Sequence, residues 1–182
     1  MPARLAPLAA GDLLLEPQVA AHADAMFAVL SDPALFEFID EAPPTSLAAL
    51  RERYAKLESR ASADGRQHWL NWVLRPQGSA PVGFVQATVE PDGECWVAYL
   101  LAASQQGRGL ATLAVATMLP HLQQAYGANR FLAQVEAANG PSLRLLTRLG
   151  FSAASHEEHQ RRGLNASECL LAREALSPPP SP

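Results

Sequence analysis

The stretch from Cys95 to Ala103 is the longest uninterrupted apolar run in the chain, and it ends in Ser104-Gln-Gln-Gly-Arg-Gly109. It is too short to cross a bilayer, which as a helix takes about 20 apolar residues. Apolar at nearly every position, it fits a central strand covered on both faces, expected over 95–102. The pattern then changes to a helix over 106–125, which Pro120 is expected to kink. A buried strand, two glycines and a helix in that order fix the middle of the fold: a sheet layer with a helix folded back against it.

The joint itself carries chemistry. Free backbone N–H groups at a helix start, together with the helix dipole, form a pocket for anionic phosphate. Gly107 and Gly109 remove the Cβ atoms that would hold a pyrophosphate away, and Arg108 adds positive charge. Rival phosphate motifs do not match. A Walker A loop ends in Gly-Lys-Ser/Thr, which does not occur here. A dinucleotide fingerprint would put Thr112 where Gly or Ala belongs, and it opens a repeated βαβ sheet for which too little chain remains.

A second segment, Glu136-Ala-Ala-Asn-Gly-Pro-Ser-Leu-Arg-Leu-Leu-Thr-Arg-Leu-Gly-Phe151, follows a strand over 131–136. Asn139 ends that strand, Pro141 opens a helix over 141–149 with Ser142 in its first turn, and Gly150 stops it. Taken alone, this is a helix with a cap and a glycine stop.

The remainder alternates in type. A short strand is expected at 12–16, then a helix carrying Val19, Ala23, Met26, Phe27 and Leu30, stopped at Ser31-Asp32-Pro33. Pro33 can open a short second helix with Leu35, Phe36 and Ile39. A third begins at Thr45 or Ser46, with Leu47, Leu50, Tyr54 and Leu57 on one stripe. Strands over 68–74, 82–89 and 95–102 are joined by turns and should pair antiparallel, while the later strand–helix–strand units should add parallel pairing. Two last strands lie near 151–156 and 167–172. The first few residues and the Pro-rich tail, 174–182, are expected to be disordered or extended.

At 182 residues the chain fits one domain, with 48% apolar and 18% charged residues. A net charge of −4 argues against nucleic acid as a partner and is compatible with an amine substrate. Arg161 and Arg162 form a pair, but Glu157 and Glu158 precede them, which reads as a solvated surface turn. Nothing resembles a membrane span or a signal peptide, so no membrane partner and a cytoplasmic location are expected. Cys95 and Cys169 supply neither a disulfide framework nor a metal cluster, and both read as buried free thiols.

Together the two segments resemble the GNAT superfamily of N-acetyltransferases, in its RimJ/RimL-type branch. Gln106-Gly-Arg-Gly-Leu-Ala111 is similar to that family's Gln/Arg-x-x-Gly-x-Gly/Ala acetyl-CoA loop, and Asn139-x-x-Ser142 with Leu149-Gly-Phe151 to the later motif of the branch. Leu13-Leu-Leu-Glu-Pro17 and Trp69-Leu-Asn-Trp72 look like the branch too. The resemblance covers roughly 10–173 and is strongest over 97–151. It implies a single α/β (α+β) domain over 10–173, with a mixed, mostly antiparallel central sheet flanked by helices.

The resemblance also implies roles. Acetyl-CoA is the expected co-substrate, with no metal. The backbone from Gly107 through Arg108, Gly109, Leu110 and Ala111 to Thr112 would hold its pyrophosphate, next to Gln106. The strand end Leu100, Leu101 and Ala102 would pair with the pantetheine amides, and Asn139 and Ser142 would approach the thioester. Trp69 and Trp72 would either shape the acceptor pocket or pack in the core, since they face opposite sides of one strand. Many members carry a Tyr four residues before the Gly of the Gly-Phe pair; here Leu146 stands there, which leaves Ser142 as the hydroxyl for the leaving thiolate. Candidates for the base are Glu94, Glu136 and the segment Glu157-Glu-His159, with His159 the attractive member for its titration range. The expected function is acetyl transfer from acetyl-CoA to a primary amine, a small molecule or a protein N-terminus, by direct attack in a ternary complex and by a monomer or homodimer. The alternative is an acyl-CoA-binding sensor or interaction module without turnover.

Overall fold

The computed structural model describes residues 5–175, so the Pro-rich tail beyond 175 lies outside the described residues. Its framework is one eight-stranded sheet in the order β1-β2-β3-β4-β5-β6-β8-β7. β1 (Leu8–Ala10), unforeseen in the sequence, pairs with β2 (Leu13–Pro17), and β2 with β3 (His68–Pro76), both antiparallel. Between β2 and β3 lie α1 (Ala23–Leu30) and α2 (Leu47–Leu57). The expected helix after Pro33 is a single 3₁₀ turn, Pro33–Phe36, capped by Asp32. Of the two expected start positions, Thr45 and Ser46, Ser46 caps α2 by accepting from the Ala49 N–H.

β4 (Gly83–Val89) and β5 (Glu94–Leu101) continue the antiparallel series. α3 (Leu110–Tyr126) then carries the chain across to β6 (Arg130–Glu136), which lies parallel to β5. α3 is continuous through Pro120. α4 (Gly140–Arg148) follows, then β7 (Ser152–Ala153), α5 (His156–Arg161) and β8 (Glu168–Glu174). β8 inserts between β6 and β7, antiparallel to both, so the expected parallel pairing is confined to β5 and β6.

Each face of the sheet buries one core. Trp72, Leu74, Val85, Val97 and Phe131 meet Val115, Met118 and Leu122 of α3 and Leu146 of α4 on one side. Val73, Leu100 and Phe84 meet Met26 and Leu30 of α1 and Leu50 and Tyr54 of α2 on the other. The alternation along β3 and β5 is what separates the two sets. Trp72 is fully buried, and its indole N–H donates to the Ala6 carbonyl at 2.9 Å, which assigns it to the core. Trp69, on the opposite face, is half-buried and donates to the Gln67 side chain. No helix among the described residues is long and apolar enough to cross a membrane.

β5 departs from the expected strand covered on both faces: Ala98 is exposed and Trp96 and Tyr99 are half-buried. Pairing explains this. β5 and β6 share only three partnered positions, Glu94 with Arg130, Cys95 with Phe131 and Trp96 with Leu132. Beyond them β5 stays with β4 to Leu101 and β6 stays with β8 to Glu136, so the two strands part and a gap opens in the middle of the sheet.

Gly83 sets how closely β4 approaches the open end of β5. A Cβ there would lie 2.2 Å from the Leu100 carbonyl oxygen and 2.9 Å from the Leu101 Cα. Backbone cannot yield as a flexible side chain would. Gly83→Ala should therefore cost about 1–3 kcal/mol of stability, as over-packing does; a urea unfolding midpoint equal to that of the parent protein would contradict it.

Candidate active site

The gap exposes backbone. Along β5 the hydrogen-bonding groups alternate in direction: Glu94 and Ala102 bond to the β4 side, through Glu90 N–H to Glu94 carbonyl and Ala102 N–H to Val82 carbonyl. The Gly93 carbonyl, by contrast, accepts from Asn129 on the β6 side. With the register unbroken to Leu101, the N–H and C=O groups of Val97, Tyr99 and Leu101 point toward the gap. The Leu101 carbonyl accepts from the Gln106 side-chain amide at 3.1 Å, which ties the loop to the strand end. The Ala102 N–H is already committed to Val82.

The glycine joint stands at the same end. A short 3₁₀ turn, Ala103–Gln105, leads into it, and α3 starts only at Leu110, four residues later than the expected 106. Gly107 (φ +73°) and Gly109 (φ +77°) take the left-handed conformation, which costs glycine nothing. A Cβ at either would meet nothing within 4 Å, so the space before them is open. Gly109 caps α3 without any side-chain hydrogen bond, and the first helical bond runs from Leu113 N–H to the Gly109 carbonyl. Among the described residues, no protein group accepts from the N–H groups of Gly107, Arg108, Gly109, Leu110, Ala111 or Thr112. These undirected amides stand at the positive end of a 17-residue helix, the donors and partial charge that an anion needs. Arg108 is exposed there and donates to the Gln105 side chain at 2.7 Å.

β6 delivers the second half. Asn139 caps α4, accepting from the Ser142 N–H at 3.2 Å, with Pro141 in the first turn. This places Ser142 against β5, where its Oγ lies 2.6 Å from the Tyr99 hydroxyl. Burial pushes the Tyr99 phenol up, with the Ser142 hydrogen bond acting the other way. Leu146 is fully buried in the α3-side core, so the helix offers no phenol of its own. Tyr99 was invisible in the sequence because it sits inside an apolar run.

The other candidates lie elsewhere. Glu94 stands at the closed end of β5, five residues from Tyr99, or roughly 16 Å along a strand. Its carboxylate accepts from Arg162 at 2.6 and 2.7 Å and from Arg130 at 3.2 Å. Glu136 accepts from the Ser167 hydroxyl at 3.2 Å. His159, on α5, bonds through Nε2 to the Glu168 carbonyl at 2.8 Å. Thus Ser142 is brought together with Tyr99 and Asn139, not with Glu94.

The segment 157–162 corrects the expectation of a solvated turn. It is α5, capped by Ser155, and Glu158 is buried at 7% exposure. Arg130 grips Glu158 through two hydrogen bonds of 2.7 and 2.8 Å, and Arg162 adds a third. These bonds hold the carboxyl down at about 2. Arg162 also lies over the Trp96 ring, 5.2 Å from its centroid. Beside this cluster, on the sheet face away from α3 and α4, an open groove of about 610 Å³ is lined by Trp96, Gln134, Arg161 and Leu164. Cys95 is a buried free thiol, pushed up to about 12 by desolvation, whereas Cys169 is only half-buried.

The site is thus a gap in a mixed sheet, with a glycine-capped helix start at one lip and an Asn-capped helix start at the other. A family model described as an acetyltransferase (GNAT) domain matches residues 12–152. The chain belongs to the GNAT family. Among solved structures it resembles RimL, a ribosomal L7/L12 alpha-N-protein acetyltransferase in complex with coenzyme A, at 20% identity over 93% of this chain and 98% of that one, TM-score 0.76. It is also similar to Mycobacterium smegmatis RimJ in complex with a coenzyme A disulfide, at 24% identity over 94% and 87%, TM-score 0.76. An acetyltransferase from Salmonella typhimurium that modifies the N-terminal serine of L7/L12 matches at 18% identity over 93% and 99%, TM-score 0.73. A search of curated protein sequences finds no significant match.

The Glu158 cluster makes a pH statement. A carboxyl depressed on folding adds stability above its ordinary value of 4.5, and that stability is lost as pH falls toward about 2. Glu158→Gln should cost about 1.5–3 kcal/mol at pH 7, the range for hydrogen bonds to charged groups. Its denaturant midpoint should converge on that of the parent between pH 4.5 and 2; parallel curves over that window would count against the assignment.

Proposed function

We propose that the protein transfers an acetyl group from acetyl-CoA to a primary amine by direct attack in a ternary complex. The observation that carries this reading is the unaccepted row of N–H groups from Gly107 to Thr112. Its lip position beside the open β5 edge fits a diphosphate followed by an amide-bearing arm. The residues present fit coenzyme A: the amide row for the diphosphate, the Val97 and Tyr99 backbone for pantetheine amides as an added strand, and Ser142 for sulfur. Acetyl-CoA supplies the activated thioester. Asn139 holds Ser142 in place, and the Ser142 hydroxyl donates to the thiolate as it departs.

The acceptor reaches the gap from the face carrying α1, α2 and α5, because α3 and α4 occupy the other. The groove along Trp96 and Gln134 opens on that acceptor face. Holding a neutral amine near the thioester there supplies much of the rate through positioning. A protein N-terminus is the acceptor favoured by the likeness to RimL and RimJ, whose names state that activity for RimL.

Release of free thiol from acetyl-CoA over a panel of amines and N-terminal peptides tests the reading. Acetylated amine in step with thiol is expected; coenzyme A binding without turnover on any acceptor would favour a sensor instead. Gly109→Trp fills the amide row and forces a left-handed backbone on a residue with a Cβ, a strain of about 1–3 kcal/mol. It should weaken coenzyme A binding at least tenfold in calorimetry while the domain stays folded. Unchanged affinity would remove the diphosphate from this site.

A further inference from the structure

The Tyr99–Ser142 contact has a consequence for the leaving group. α4 carries no phenol, its Leu146 being fully buried in the core, and a phenol reaches the α4 start from β5 instead. At 2.6 Å, the Tyr99 and Ser142 hydroxyls form one short hydrogen bond, and the Ser142 N–H is separately fixed by Asn139. The Ser142 carbonyl lies 3.4 Å from the same phenol, a long second contact. Two hydroxyls that share one hydrogen bond leave one proton free to point elsewhere. When Tyr99 donates to Ser142 Oγ, the Ser142 proton is the free one.

We propose that Tyr99 is the positioning residue of this site: it donates to Ser142 and aims the Ser142 proton into the β5–β6 gap, making a two-hydroxyl relay to the thiolate. The proposal rests on the acetyl-transfer reading above. In the transfer, a C–N bond forms between the amine and the acetyl carbon and the C–S bond breaks. The sulfur takes the Ser142 proton, Ser142 takes that of Tyr99, and Tyr99 is reprotonated from water, which also receives the proton lost by the amine. No oxidant or further reactant is needed. Burial keeps the phenol protonated through neutral pH, so the donor is present when thiolate forms. The Tyr99 ring packs against the α3-side core, so the relay is anchored by a rigid strand rather than by a loop.

Tyr99→Phe keeps the ring and deletes only the hydroxyl. With the best amine from the panel, it should lower kcat about tenfold and leave the KM for acetyl-CoA within twofold. Ser142→Ala should do the same, and the double variant should be no worse than the poorer single one, because the two act as a unit. A second readout needs no acceptor: ultraviolet difference titration of the coenzyme A thiol, bound against free. A relay that donates to thiolate depresses the bound thiol, and Tyr99→Phe should shift its ionisation back toward free coenzyme A. A Tyr99→Phe protein with parental kcat, or with an unchanged bound-thiol titration, overturns the relay. Failure of the parent protein to acetylate any amine overturns the acetyl-transfer reading instead, while the thiol titration still judges the relay.

Discussion

The parallel pairing of β5 with β6 lasts for three residue pairs, and the whole site follows from where it stops. Up to Trp96 and Leu132 the two strands are one sheet. Past them each keeps its outer neighbour, β4 or β8, so the strands cannot rejoin without breaking an established ladder. The edge groups of Val97 and Tyr99 then face a space instead of a partner. A buried backbone group left dry costs about 1–3 kcal/mol. The gap is therefore stable only where water or another amide can enter it, which suits it to the extended, amide-bearing arm of the proposed co-substrate. Both helix starts, at Leu110 and Gly140, hang from the strand ends that border this opening.

The closed end is held by charge. Glu94 and Arg130 face each other as a registered pair, and α5 lays Glu158 and Arg162 across them. Replacing either arginine would leave the buried Glu158 carboxylate with one cation fewer, which is the costly way to break such a cluster. Arg162 stacks on Trp96, so the clamp ends at the last paired position of β5. One end of the wedge is fixed by four side chains and the other is left open by geometry. For the proposed transfer, such a wedge would hold a thioester and an amine at a set distance, which is where positional catalysis draws its rate.

What the sequence disclosed and what it hid have physical reasons. Local signals were legible: the glycine joint at 107–109, the Ser46 and Asn139 caps, and the strand periodicity that separates Trp72 from Trp69 all depend on neighbours within a turn. The antiparallel run from β3 to β5 could be read from its short turns, whereas the pairing of β2 with β3 across two intervening helices could not. The position of β8 between β6 and β7 could not, because it depends on which edge the last strand finds. Glu158 reads as solvated in a run of charges, and its burial is decided by Arg130, 28 residues away. Tyr99 hides for the opposite reason: inside an apolar run an aromatic reads as packing, and only α4, 43 residues on, gives its hydroxyl a partner.

The gap also separates two sets of polar groups. Tyr99 and Ser142 serve it from the α3–α4 face, whereas Glu94, His159 and the groove along Trp96 lie on the opposite face with α5. In the proposed transfer, a leaving thiolate and an arriving amine would thus meet different sets of groups through one opening. Glu94 has its oxygens occupied by two guanidinium groups, so taking a proton there means displacing a charged donor. His159 spends Nε2 on the Glu168 carbonyl and keeps Nδ1. On the proposed reading, the fixed, short Tyr99–Ser142 hydrogen bond stands on the thiol side, where a proton must be delivered as the C–S bond breaks. On the same reading, the open, polar groove would let water carry the amine's proton away, and an acceptor that arrives already neutral would ask nothing more of the protein than to be held.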